Sequence, residues 1–141
     1  KKLLSSHISG QLKIALEHSS PYILRAMRKT ALFDLKKFVE IFRKLNSRFG
    51  KKQHLLPYLM SGHPGCQIKD MRRMKNEIYA TFGFIPNQVQ AFIPLPMTLS
   101  SVIYYTGIDP LQKKNFLLFK IWENERSSMK YFLINKIFNF H

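Results

Sequence analysis

Residues 53–65, QHLLPYLMSGHPG, decide the fold class, because an apolar run of strand length ends abruptly in a turn rich in glycine and proline. The run QHLLPYLM (53–60) predicts a buried β-strand, although Pro57 has no backbone N–H to donate to a neighbouring strand. The segment SGHPG (61–65) predicts a tight turn, because glycine adopts backbone conformations that other residues avoid. A strand that ends in such a turn is suited to meeting a ligand at its carboxyl end.

Two further strands are predicted, one on each side of this stretch. The segment SGQLKIALEH (9–18) alternates apolar and polar side chains with a period of two, and NQVQAFIPL (87–95) is a third apolar run of strand length. The side chains expected to face inward are Leu12, Ile14 and Leu16 on the first strand and Val89, Phe92 and Ile93 on the third.

Helices are predicted between these strands. Ser20-Pro21 is a good helix start, and the first helix should end near Met27. Thr30 is predicted to cap a second helix that ends at Gly50, and a third helix is expected over residues 67–82. The second helix carries an apolar stripe made of Leu35, Phe38, Val39, Phe42, Leu45 and Phe49.

Strands that alternate with helices in this way predict an α/β fold with a parallel sheet. All three strands run into unusual polar or Gly/Pro-rich segments, namely EHSS (17–20), SGHPG (61–65) and the loop PLPMTLS (94–100). Because the carboxyl ends of parallel strands lie at one edge of a sheet, these three segments should converge on one site.

The charge of the chain is high and unevenly distributed. The 141 residues carry a formal net charge of +15, and residues 1–77 hold 17 basic and 5 acidic side chains. Such a charge favours binding to a polyanion, such as nucleic acid, a ribosomal surface or an anionic membrane. Residues 78–108 hold no charged side chain, but their prolines and polar side chains argue against a membrane-spanning helix. We expect a cytoplasmic protein that does not enter a membrane.

Side chains that carry chemistry are few. His63 and Cys66 are three residues apart, but no third group is placed to orient them, so a small buried cysteine is favoured over a nucleophile. The histidines and the one cysteine show no metal-ligand spacing, and there is no phosphate-binding glycine motif. No catalytic residue and no metal ligand is assigned.

Three segments, QLKIALEHSSPYILRAMRK (11–29), KKQHLLPYLMSGHPGCQIKDM (51–71) and NQVQAFIPLPMTLSSVIYYTGIDP (87–110), resemble the later part of the YgiQ-type radical SAM proteins in order and spacing. The last segment, SSMKYFLINKIFNFH (127–141), is similar to a helix downstream in that family. The resemblance implies a partial TIM-like (β/α)6 barrel that holds a [4Fe–4S] cluster and S-adenosylmethionine (SAM). Residues 1–108 would then be the last three βα units, half of the barrel, and residues 109–141 a C-terminal extension with an amphipathic terminal helix.

The resemblance also implies which residues lie beside SAM. The end of the first strand would face the ribose and methionine portion, the end of the second would face the adenine, and the third would border adenine or substrate. The residues at these positions are Glu17, His18 and Ser19; Met60, Ser61, Gly62, His63, Pro64 and Gly65; and Pro94, Pro96 and Thr98.

The chain also departs from that family. A [4Fe–4S] cluster needs three thiolates, normally in CxxxCxxC, whereas Cys66 is the only cysteine here, so this chain alone should not bind the cluster. The family favours Pro where Leu16 stands and Asp where Ala91 stands. We therefore expect a carboxyl-terminal half that contributes part of the SAM pocket, with an unknown substrate and no catalysis of its own.

Two alternatives remain open. The chain could be a half-barrel subunit completed by a separate N-terminal half-barrel chain that carries the cluster cysteines, docked at the exposed sheet edge of residues 10–16. It could instead be a small basic module associated with RNA or the ribosome, although its aromatic residues follow the apolar stripes rather than the basic faces.

Overall fold

A parallel three-stranded sheet in the order β1-β2-β3 forms the centre of the computed structural model, which describes residues 8, 10–30, 34–116 and 137–138. Its strands are β1 (Gln11–Glu17), β2 (His54–Ser61) and β3 (Gln90–Ala91). The helices are α1 (Pro21–Ala26), α2 (Leu35–Arg48), α3 (Ile68–Phe82) and α4 (Leu99–Thr106). A short antiparallel pair, β4 (Ile108–Asp109) and β5 (Lys114–Asn115), follows α4. The predicted α/β class with a parallel sheet is confirmed.

Pro57 sits in the central strand without disrupting the sheet. The His54 N–H donates to the Gly10 carbonyl, so alternate residues of β2 from His54 onward face β1, and Pro57 faces the opposite side. On that side β3 pairs only with Met60 and Ser61, so none of the described strands requires an N–H at Pro57. The proline that counted against the strand assignment is tolerated because β3 is short.

The core lies on one face of the sheet, where the helices pack. Leu55 and Leu59 of β2 are buried, whereas Tyr58, which points to the other face, is 45% exposed. The core cluster is Ile8, Leu16, Ile23, Val39, Phe42, Leu55, Leu59, Cys66, Met71, Met74, Ile78, Phe82 and Phe138. The open face carries the other side chains of β1 and β2, which alternate with the buried ones.

The helix limits follow local capping chemistry, and one predicted cap is wrong. The carboxylate of Asp34, rather than Thr30, caps α2 by accepting the Lys37 N–H at 3.1 Å. Helix α1 begins at Pro21 as predicted, but the side chain of Ser20 makes no capping hydrogen bond. Helix α3 ends at Gly83, which adopts φ +80°, as glycine favours at a helix end.

The third strand is much shorter than the predicted 87–95. Only Gln90 and Ala91 pair with β2, because Pro94 has no N–H with which to extend the ladder. Phe92 is buried as predicted, but Ile93 is 59% exposed and does not face inward. Helix α4, which was not predicted, starts at Leu99, inside the loop predicted over residues 94–100, and Thr98 caps it by accepting the Ser101 N–H at 3.2 Å.

The apolar stripe of α2 is only partly covered. Val39 and Phe42 are buried in the core, whereas Phe38 and Phe49 are each 38% exposed. The predicted terminal helix lies outside the described residues except for Ile137 and Phe138, which are helical, and Phe138 is buried in the core. Within residues 8, 10–30, 34–116 and 137–138, no helix has the length and apolar character needed to cross a membrane.

Candidate functional site

The carboxyl ends of β1 and β2 lie side by side at one edge of the sheet. The turn SGHPG (61–65) at the end of β2, here called the β2 turn, is followed by Cys66. The Sγ of Cys66 lies 3.5 Å from Nε2 of His18, which follows β1. The end of β3 joins them, because the N–H of the next residue, Phe92, donates to the Ser61 carbonyl at 2.8 Å. The rings of His63 and Phe92 meet edge to face, with their centroids 5.0 Å apart.

His18 is held by hydrogen bonds on both ring nitrogens. Its Nδ1 accepts the Ser20 N–H at 2.9 Å, so the neutral ring carries its proton on Nε2. That Nε2–H points at the sulfur of Cys66, and the thiol in turn points at the Gln67 carbonyl at 3.8 Å. The imidazole of His18 therefore contacts the sulfur of Cys66.

His63 joins the β2 turn to α4. Its Nδ1 lies 3.0 Å from the Pro64 carbonyl, which can only accept, so the proton is on Nδ1. Nε2 then accepts from the hydroxyl of Ser100 at 2.8 Å. A buried imidazole thus bridges two elements that are far apart in the sequence.

All three of these groups are neutral near pH 7. Burial lowers the pKa of His18 to about 4 and also lowers the pKa of His63. Burial raises the pKa of the Cys66 thiol to about 12. Cys66 is buried, as the sequence predicted, and its thiol is not activated as a nucleophile.

Glu17 and Ser19, at the end of β1, each have a buried side-chain oxygen without a hydrogen-bond partner among the described residues. Glu17 Oε1 lies 3.0 Å from Lys29 Nζ, but Glu17 Oε2 and Ser19 Oγ are buried and have no hydrogen-bond partner among the described residues. Glu17 also adopts φ +63°, which is uncommon for a residue other than glycine. A buried oxygen without a partner is costly, so each of these two calls for a partner that the described residues do not supply.

The β2 turn relies on its glycines. Gly62 and Gly65 have φ of +69° and +85°, in the left-handed region that glycine favours. A Cβ on Gly65 would stand 3.0 Å from both Phe116 Cδ1 and Tyr22 Cε1. These two rings stack with their centroids 5.5 Å apart, so protein side chains already pack against this side of Gly65.

The other predicted site residues fall into two groups. Ser61 and Pro64 are buried and Met60 is half-buried, all at the end of β2. Pro96 and Thr98 are exposed and Pro94 is half-buried, and Thr98 serves to cap α4. Ser100, in the first turn of α4, contacts the site through its hydrogen bond to His63.

An ion pair that the sequence did not predict joins the β4–β5 hairpin to Arg28, which follows α1. Asp109 is buried and accepts two bonds from Arg28 Nη2, at 2.6 and 2.7 Å. Burial alone would raise the pKa of Asp109, but bonds from the Leu111 N–H and the Arg28 guanidinium outweigh it and hold the pKa below its ordinary value. The pair fixes the hairpin that places Phe116 against Gly65.

Neither the described side chains nor the cysteine suits a metal centre. In residues 8, 10–30, 34–116 and 137–138, no group of three or more His, Cys, Asp or Glu is arranged to hold a metal ion. Cys66 is buried against His18, and one cysteine does not supply the three thiolates that hold an iron–sulfur cluster.

The fold and the geometry together define an α/β protein with a polar site at the carboxyl ends of its parallel strands. Its homologues are UPF0313 proteins. The chain is 47% identical over 111 residues to one from Clostridium perfringens, which covers 79% of this chain and 17% of that protein. It is 46% identical over 114 residues to one from Methanosarcina mazei and 43% identical over 110 residues to one from Geobacter sulfurreducens. The alignments cover 81% and 78% of this chain and 18% of each of those relatives.

The chain thus spans less than a fifth of the length of these relatives, whose names state no activity. No protein-family model matches the chain. No solved structure matches it either.

Proposed function

We propose that this chain forms part of the SAM pocket of a radical SAM protein and is not catalytic by itself. The observation that carries the proposal is the pair of buried oxygens, Glu17 Oε2 and Ser19 Oγ, without partners among the described residues at the carboxyl end of β1. A carboxylate accepts hydrogen bonds and a serine hydroxyl accepts or donates them, so the two complement the hydroxyls of a ribose. They stand where the resemblance to radical SAM proteins puts the ribose and methionine portion.

The neighbouring turn suits the adenine in this proposal. Gly62 is half-buried and adopts φ +69°. Because glycine has no side chain, nothing of its own covers the turn backbone at this point. Backbone groups of such a turn can bind the edge of a flat ring. Because Tyr22 and Phe116 pack against Gly65, we assign the approach of the adenine to Gly62 rather than to Gly65.

The chemistry of the cluster must come from outside residues 1–141 in this proposal. When bound to a [4Fe–4S] cluster, SAM supplies the adenosyl group with which radical SAM proteins begin their reactions. Residues of this chain orient that group by hydrogen bonds and exclude water from it, and Cys66 takes no part in binding iron. Iron and sulfide reconstitution of the 141-residue chain should give no cluster absorbance, and a stable [4Fe–4S] spectrum from this chain would contradict the proposal.

A chimera tests the proposed pocket in a full-length context. The chain replaces the matching segment of the C. perfringens relative, and S-adenosylhomocysteine is titrated by calorimetry. We expect Glu17→Gln and Ser19→Ala each to weaken binding about tenfold, as the loss of one buried hydrogen bond predicts. Glu40→Gln is the matched control, because Glu40 is an exposed acid on α2. If the chimera does not bind the ligand, or if all three variants bind equally, the proposal is wrong.

The free edge of β1 favours completion of the sheet by another strand, as in a barrel. Among the described strands, β1 pairs with β2 on one side only. Lys29 Nζ donates to the Ala15 carbonyl at 2.9 Å on the other side, so the backbone groups of Ala15, Lys13 and Gln11 face outward. We propose that this edge pairs with a strand of the cluster-bearing part, whether that part precedes residue 1 in the same polypeptide or is a separate chain.

A proline substitution tests the pairing. Lys13→Pro removes an outward N–H and leaves the bonds to β2 intact, whereas Lys13→Ala removes the same side chain and keeps the N–H. With the segment preceding the matched region of the C. perfringens relative co-expressed, we expect Lys13→Ala to co-purify with it and Lys13→Pro to lose it. Equal recovery of the segment by both variants would contradict a paired edge.

A further inference from the structure

A cavity of about 480 Å³ lies at the opposite end of the sheet from the candidate SAM site. Gln11 and His54, the first residues of β1 and β2, form part of its wall. Its volume is within the range of about 300–1,000 Å³ that is typical of small-molecule sites. Its ligand is therefore independent of the SAM proposal.

Hydrogen bonds hold the wall of this cavity in place. The side-chain amide of Asn46 donates to the Gln53 carbonyl at 2.7 Å and accepts the Gln53 N–H at 3.1 Å. Gln53 Nε2 donates to the Ile8 carbonyl at 2.6 Å. Arg43 Nη2 donates to the Phe82 carbonyl at 2.9 Å, which ties α2 to the end of α3. The cavity is thus preformed rather than a gap between loosely packed segments.

The lining combines apolar walls with polar side chains and one permanent charge. Phe42, Leu55, Phe82 and Phe84 supply hydrocarbon walls, and the rings of Phe82 and Phe84 meet edge to face with centroids 6.0 Å apart. Among the described residues that line the cavity, Arg43 is the only lysine, arginine, aspartate or glutamate. A ligand that matches this lining combines one negative charge with an apolar or aromatic body.

The guanidinium of Arg43 has capacity for such an anion. It carries five N–H donors, and its bonds to the carbonyls of Thr81 and Phe82 use Nη2 alone. Those bonds also offset the partial negative charge at the carboxyl end of α3, which would otherwise repel an anion. We propose that the cavity binds a small aromatic or branched aliphatic carboxylate, with the carboxylate on Arg43 and the apolar body against Phe82 and Phe84.

Three isosteric probes test the charge requirement on the 141-residue chain. The probes are 3-phenylpropionate, the neutral 3-phenylpropanamide and the cationic 3-phenylpropylamine, titrated against ¹⁵N-labelled protein. We expect the carboxylate to shift the amide signals of residues around the cavity and to bind about tenfold or more tightly than the amide, with no binding of the amine. Equal affinity for the carboxylate and the amide overturns the proposal, and so does the absence of shifts with the carboxylate.

Two variants and a control locate the contact. Arg43→Gln should weaken 3-phenylpropionate binding about tenfold. Lys36→Gln removes one positive charge from an exposed position of the same helix outside the cavity, and should leave binding unchanged. Because Arg43 also bonds Phe82, the thermal midpoint of Arg43→Gln is measured alongside. Phe84→Ala removes a wall that is already 40% exposed, and should weaken all binding without unfolding the chain. If Arg43→Gln and Lys36→Gln bind the probe equally, or Phe84→Ala binds as wild type does, the assignment is wrong.

Discussion

Gly65 of the candidate site has no room for a side chain. It shares a positive φ with Gly50, but a Cβ at Gly50 meets nothing within 4 Å, whereas one at Gly65 stands 3.0 Å from two aromatic rings. Both Gly→Ala substitutions carry the cost of the left-handed conformation, and only Gly65→Ala adds overpacking. We expect Gly65→Ala to lower the free energy of unfolding by about 1–3 kcal/mol more than Gly50→Ala does, as measured by urea titration.

Removing one ring separates the two costs. In the double variant Gly65→Ala with Phe116→Ala, the added methyl group has one fewer neighbour, so part of the extra loss should be recovered. Equal losses for Gly65→Ala and Gly50→Ala would show that the rings yield without cost and that the close packing has no energetic role.

The buried imidazole of His18 should make the fold sensitive to acid. Its pKa is about 4 in the folded chain against an ordinary value of 6.5, so the unfolded state binds more protons between these values. Stability therefore falls as the pH drops from 6.5 to about 4, by about 3 kcal/mol for this one group. Unfolding midpoints measured across pH 4 to 7 check the slope. His18→Asn retains an acceptor for the Ser20 N–H and does not titrate, so its slope should be shallower, and an unchanged slope would contradict the assignment.

At the scale of single residues, the sequence predicts which residues lie at the strand ends but not the long-range contacts that these residues make. Glu17, Ser19 and the β2 turn follow from strand period and turn composition, which are local signals. Ser100 bonds a histidine 37 residues away, and Arg28 pairs with an aspartate 81 residues away. No local pattern encodes such contacts, because they depend on how the elements pack.

At the scale of elements, the sequence predicts helices and strands where one strong local signal dominates. Strand β2 and helix α3 fall within two residues of their predicted limits, because apolar period and turn residues agree there. Strand β3 was predicted too long, because an apolar run of strand length says nothing about whether a partner strand is within reach. Helix α4 was missed because the prolines before Thr98 dominated the prediction of a loop.

The start of α2 gives a test at this scale. Asp34 accepts the Lys37 N–H and adopts φ +57°, a conformation that aspartate tolerates better than alanine. We expect Asp34→Ala to lower the free energy of unfolding by about 1–2 kcal/mol. Thr30→Ala, at the position that the sequence favoured as the cap, should change it by less than about 0.5 kcal/mol. Circular dichroism during urea unfolding measures both, and a larger loss at Thr30 would reverse the assignment of the cap.

At the scale of the whole molecule, the chain has a large positive charge that ion pairs do not balance. The formal net charge is +15, and the described residues form three ion pairs: Arg28–Asp109, Lys29–Glu17 and Arg73–Glu77. Two basic residues on the outer face of α2, Lys36 and Lys44, are exposed. Like charges at this density repel one another in the compact state and not in the expanded one, so they lower the stability of the fold.

Salt should therefore stabilise this chain, unlike a protein held together by surface ion pairs. Raising NaCl from about 0.05 to 0.5 M shortens the Debye length from about 14 to about 4 Å, which screens the repulsion between lysines on neighbouring turns. We expect the urea midpoint to rise over this range and then to level off. Lys36→Glu with Lys44→Glu lowers the net charge by four units, so the midpoint of this double variant should be higher at low salt and should respond less to added NaCl. A midpoint that falls with salt in the wild-type chain would mean that ion pairs stabilise the fold more than the excess positive charge destabilises it.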